Sequence, residues 1–210
     1  MKIQSYSLIS ETELLSRLKR TRLRGFERPY LYEHASLGIV EAVDPADLAP
    51  AQRYVLREDL GSVVAIHRAL AEKGVDVFAL KGALFFTQED DAEQESIPFT
   101  PPIVEESVEP DGRKVWLIND GIHRVYSAMK LGSPINIVLA RGVPPEYPYY
   151  AYALEKGWDE VEELGELPDH YLKKTYRDPN NYKSLFRDFN EVFPGVQKQR
   201  KRSNPAHLTA

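Results

Sequence analysis

The sequence predicts an α+β domain built on a small mixed sheet, with helical extensions at both ends. Three observations carry this expectation. Apolar runs of strand length, such as Val115–Ile118 and Ile135–Ala140, are separated by segments whose apolar residues repeat at helical spacing. Their order is irregular (strand, helix, strand, loop, hairpin, helix, strand), which argues against a doubly wound sheet of repeated strand–helix–strand units. The composition, 42% hydrophobic and 28% charged over 210 residues, is an ordinary globular balance and is enough for one substantial domain.

Taken in order, Ser10 stands three positions before Glu13, a capping-box spacing that opens a short amphipathic helix carrying Leu14, Leu15 and Leu18. The segment from Lys19 to Arg28 holds five basic residues and one acid, a solvated stretch in the plain reading and an anion contact in the sharper one. Leu37–Val43 reads as the first core strand, and Asp44–Pro50 as a proline-bounded turn. A helix is expected over about 51–73, with Val55, Leu56, Val63, Ile66 and Leu70 on its apolar stripe and Gly74 ending it. His67 on that helix has no partner at a metal-binding spacing. Val75–Leu80 reads as a second strand.

The stretch TQEDDAEQES, residues 87–96, is acidic and poor in apolar residues, so a loop is expected there. Its Asp90 and Asp91 are ordinary solvated acids unless a metal recruits them. Pro102–Val108 and Lys114–Ile118 form a hairpin around Glu109-Pro110-Asp111-Gly112, whose residues have turn chemistry.

The organising stretch is VWLINDGIHRVYSAMKLG, residues 115–132. Its apolar run suits a buried strand. Asn119-Asp120-Gly121 suits a turn with Asp120 as helix N-cap, and Ile122, Val125, Tyr126 and Met129 fall on one helical face. Gly132 and Pro134 stop the helix. A strand running through a glycine turn into a helix leaves first-turn N–H groups free at the positive end of the helix dipole, a setting that favours anions. His123 and Arg124 add side-chain donors, the arginine as a planar fork.

Asp120-Gly121-Ile122-His123-Arg124, with Ala128, Leu131 and Gly132 after it, resembles the signature of the ParB/sulfiredoxin superfamily. Asp47-Leu48-Ala49-Pro50-Ala51-Gln52-Arg53 resembles that family's first box, and Pro102-Ile103-Val104 the strand opening its second half. The resemblance implies a ParB/sulfiredoxin-like domain over 37–142, interrupted by the acidic insertion near 82–100. An N-terminal helical extension over 1–36 would precede it. A Pro/Tyr-rich connector and basic helical extension over 143–210 would follow. It also implies that residues Asp120, Gly121, Ile122, His123 and Arg124 bind the phosphates of a nucleotide (ATP, ADP or CTP) with Mg²⁺, which would arrive with the nucleotide rather than in a protein cage.

Three function classes remain open. The Asp-Gly-x-His-Arg form is similar to that of free-serine kinases, which implies a phosphotransferase or NTPase acting on a small hydroxyl compound. Such a reaction needs a carboxylate near the acceptor hydroxyl, and Glu106, Glu105 and Asp120 are the candidates. The second class is a DNA-associated nucleotide switch. The chain departs from it in having a single arginine in the turn and no clear recognition helix after Arg141. The third is a nuclease, whose support is the basic run Lys198–Arg202, a nucleic-acid contact or else a solvated tail. Tyr147, Tyr149, Tyr150 and Tyr152 offer either base stacking or mere cover for the domain's flank.

Exclusions are firmer. The absence of cysteine removes disulfides, thiolate metal sites and sulfiredoxin chemistry, for which Ile122 occupies the cysteine's place. A net charge of −5 does not suit a general nucleic-acid binder. No apolar run reaches the length of a membrane span, so a cytoplasmic protein with no membrane partner is expected.

Overall fold

The alternation of apolar runs and amphipathic segments does fold into a mixed α+β structure. A computed structural model describes residues 1–88 and 97–193, and the basic run Lys198–Arg202, Asp90 and Asp91 lie outside the described residues. In chain order the elements are β1 (Ile3–Leu8), α1 (Glu11–Leu18), β2 (Arg22–Leu23), β3 (Ser36–Val43), β4 (Tyr54–Leu56), α2 (Arg57–Ala71), β5 (Leu84–Gln88) and β6 (Ile97–Phe99). They continue with β7 (Ile103–Val108), β8 (Lys114–Asp120), α3 (Ile122–Lys130), β9 (Ile135–Arg141), β10 (Glu162–Leu164) and β11 (Arg187–Asp188).

The central sheet has the order β3-β9-β7-β8, antiparallel except for the parallel β7–β9 pair. Period-2 alternation sends Val104, Ile118, Ile137 and Leu139 to one face, where they pack with Val63, Ile66 and Leu70 of α2 and Val125 and Ala128 of α3. The other face carries Ile103 and Val138, covered by Leu14 and Leu18 of α1 and by Val192 and Phe193. Segments from early and late in the described chain therefore cover this second face, and β2 pairs with β11.

Ser10 caps α1 as its spacing requires, accepting a hydrogen bond from the Glu13 N–H. At the end of α3, Gly132 takes φ +64°, and the Ser133 N–H reaches the Ala128 carbonyl in a Schellman closure.

Four expectations need correction. The helix expected from 51 begins at Arg57, because Tyr54–Leu56 are drawn into a parallel pair with β10. Val75–Leu80 is not a strand. The Asp76 carboxylate accepts from the Phe78 N–H and its carbonyl from the Ala79 N–H, a local turn that competes with sheet pairing. The N-terminal extension opens with a strand, β1, paired antiparallel with β5. The helical extension expected within 143–210 instead forms, over Tyr182–Val192, 3-10 turns on either side of β11, where Phe186 packs on Tyr182 and on Tyr150.

Candidate functional site

Strand β8 ends at Asp120, and Gly121 makes the turn into α3 at φ +94°, a left-handed conformation that suits glycine. The helix N-cap is thus Gly121 rather than Asp120, and no side chain caps it. The Asp120 carboxylate instead accepts from Arg124 Nη2 at 2.5 Å, one turn along. Arg124 also lies over the Phe99 ring at 5.4 Å, and its Nε is buried without a protein partner. A Cβ built on Gly121 would meet the Arg124 guanidinium at 2.6 Å, so glycine is what admits this pair.

His123 turns the other way. Its Nε2 accepts the Leu56 N–H at 3.1 Å, tying α3 to the start of α2, with Asp59 Oδ2 at 3.4 Å. Burial holds the imidazole pKa below its ordinary value; Asp59 opposes the shift and Arg124 adds to it. The ring is therefore neutral at pH 7, with its proton on Nδ1.

Two cavities meet at Asn119 and Asp120. The smaller, about 250 Å³, is lined by Gly121, Ile122, His123, Gln52, Tyr150 and Lys174, among others. The larger, about 480 Å³, holds Arg24, Tyr54, Tyr150, Lys173 and Phe186 in its walls. Asp120 is the one carboxylate lining either. Lys174 Nζ donates to the hydroxyls of Tyr149 and Tyr150 at 2.8 and 2.9 Å.

The candidate carboxylates on β7 lie elsewhere. Glu105 is buried on the second face, its two oxygens accepting from Arg187 Nε and Nη2 at 3.0 and 2.9 Å, and one of them from the Tyr32 hydroxyl at 2.6 Å. Burial and the Glu105 charge push the Tyr32 hydroxyl pKa well up, so it stays a donor. Glu106 points to the opposite face, as alternation requires, with Lys114 at 3.6 Å and Arg141 at 4.0 Å. It stands opposite Trp116, four residues or about 13 Å of strand from Asp120. Neither glutamate reaches the turn's cavities, which removes the geometric basis for a general base on β7.

Among the candidates at the turn, then, the structure brings Asp120, Gly121, Ile122 and His123 to one cavity wall, and sets Arg124 behind Asp120. Sequence reasoning missed Lys174, Lys173, Asn119 and Tyr54. The signal was present for the lysines, a basic pair between Tyr171 and Tyr176, but nothing local placed them opposite the turn.

The family model described as the ParB CE domain matches residues 13–162. The chain belongs to that family. The ParB CE match runs from α1 to the start of β10, beyond the boundaries expected at 37 and 142, and takes in the whole central sheet. The segment carrying Lys173, Lys174, Phe186 and Arg187 follows it. No curated protein and no solved structure matched the chain.

Proposed function

We propose that the strand-to-helix turn binds the phosphates of a nucleotide, and that the protein is a phosphotransferase or NTPase acting with Mg-nucleotide on a small hydroxyl compound. The observation that carries this reading is the convergence at one cavity of the α3 N-terminus, the left-handed Gly121 and the Lys174 ammonium. Backbone N–H groups at a helix start and a nearby cation suit phosphate oxygens, and little else is needed where phosphoryl transfer depends on positioning and charge.

The donor set fits a nucleotide that brings its own metal. Asp120 is the single carboxylate in the cavity walls, and no cluster of three or more acidic or histidine ligands occurs among the described residues. When bound, Mg²⁺ would neutralise phosphate charge. Lys174, which lines the same cavity, would share that work. Asp120, oriented by its hydrogen bond from Arg124, is placed to accept the proton of an acceptor hydroxyl. His123, committed to the Leu56 N–H through Nε2, orients the first turn and keeps one ring nitrogen for the ligand.

Titration calorimetry with ATP, ADP and CTP in Mg²⁺ tests the reading. Lys174→Gln should weaken nucleotide binding by about 1.5–3 kcal/mol, the scale for a hydrogen bond to a charged group. Asp120→Asn, which can still accept from Arg124, should leave affinity nearly unchanged and lower turnover about 10²-fold. Unchanged affinity in the lysine variant would take the cavity out of the site. A second reading, a DNA-associated protein, is favoured by the basic run Lys198–Arg202.

A further inference from the structure

The larger cavity has a composition the phosphate site does not call on. Its walls bring Tyr54 from β4 together with Tyr150, Phe186 and Phe189, beside the cations Arg24 and Lys173. Two of these rings are in contact: Tyr150 and Phe186 stand 4.7 Å apart and nearly edge to face, and the Arg24 guanidinium lies 5.3 Å over Phe186. Tyr149 supplies the buried floor. Asn119, shared with the smaller cavity, gives its amide N–H to Tyr32 at 3.3 Å, while its Oδ1 is buried with no protein partner. About 480 Å³ walled by π faces and cations, and opening beside a phosphate-binding turn, suits a flat aromatic group that carries negative charge at one end.

We infer that this cavity is a nucleobase subsite completed by the segment after β10, so that the nucleotide lies with its base among Tyr54, Tyr150 and Phe186 and its phosphates at Gly121–His123. The inference rests on the phosphate site proposed above and adds the placement of the base. Phe186 comes from beyond the residues matched by the family model, whereas Tyr54 and Tyr150 lie within them, so the base subsite is shared between the ParB CE domain and the segment that follows it. The unpartnered Asn119 Oδ1 is the acceptor available to a ribose hydroxyl or an exocyclic amine.

The experiment is calorimetry of the full-length protein with three probes: ATP, inorganic tripolyphosphate and adenosine. The parent should bind ATP at least tenfold more tightly than tripolyphosphate. Phe186→Leu, which keeps apolar bulk but loses the ring face, should weaken ATP binding about tenfold and leave tripolyphosphate binding unchanged. Tyr54→Leu, at a half-exposed position on a different element, should do the same and guards against misfolding of one variant. Equal affinity of the parent for ATP and tripolyphosphate, or ATP affinity unmoved in both variants, overturns the base subsite and leaves the phosphate site standing. Failure of the parent to bind either phosphate compound overturns both.

Discussion

At the scale of single residues, His123 has a structural job that fixes its charge. A neutral imidazole accepts the Leu56 N–H through Nε2, and protonation there would set two donors against each other. Its pKa in the folded chain lies below the ordinary value near 6.5, chiefly because it is buried. The sign follows from proton counts. As pH falls through about 6.5 the unfolded chain takes up a proton at this position before the folded one does. Stability is therefore whole above about pH 7 and is lost as pH falls from about 6.5 towards the lower, folded-state pKa. Thermal melts at pH 7.5 and 5.5 should show this loss in the parent, and a smaller one in His123→Gln. An identical loss in both proteins would mean that His123 is not neutral when folded. Arg124 is the contrasting case. It looks like a phosphate fork in the sequence, yet its guanidinium is spent on Asp120 and Phe99, so Arg124→Ala should lower stability by about 1–2 kcal/mol besides any effect on binding.

At the scale of elements, β7 carries two adjacent glutamates with opposite fates, and the pleat decides which is which. Glu105 faces the closed side and pairs with Arg187 of β11, both side chains nearly without exposure (3% and 1%). Glu106 stays half-open between two exposed cations. Glu105→Gln should cost about 3–5 kcal/mol in urea denaturation, because it strands the buried Arg187 charge, whereas Glu106→Gln should stay within about 0.5 kcal/mol. Similar small losses in both would deny that the Glu105–Arg187 pair ties the C-terminal segment to the sheet. The alternation of these two residues was legible from sequence, as were α1 with its Ser10 cap, the β7–β8 hairpin, α3 with its Gly132 stop, and the organising turn. Those features are local: a cap, a turn dipeptide or a period settles each one. The misreadings share a different cause. Val75–Leu80 has strand-like composition but is claimed by the Asp76 turn, and Tyr54–Leu56 fits a helical stripe but is claimed by a strand more than a hundred residues later. Arg187 could not be matched to Glu105, nor Lys174 to Gly121, by any spacing, since only the folded path of the C-terminal segment brings them together.

At the scale of the whole molecule, charge separates two surfaces that could both meet phosphate. The chain is acidic overall, at −5, so a nucleic-acid contact must come from a local concentration of cations rather than from the general field. The cavity cations Arg24, Lys173 and Lys174 line two small, half-open clefts that also hold aromatic rings, a scale for one nucleotide rather than for a duplex backbone. The run Lys198–Arg202 lies outside the described residues and follows Pro194-Gly195 in the sequence. Binding to a polyanion releases counterions in proportion to the phosphates neutralised, so the two surfaces can be told apart by salt. A chain ending at Phe193 should keep the parent's affinity for ATP. Its retention on DNA at low salt should fall, and the slope of log affinity against log salt should flatten by roughly 0.9 for each phosphate contact removed. An unchanged slope would place any DNA contact on the folded domain instead. No retention of the intact protein even at low salt would remove the DNA-associated reading and leave the proposed nucleotide cavity untouched.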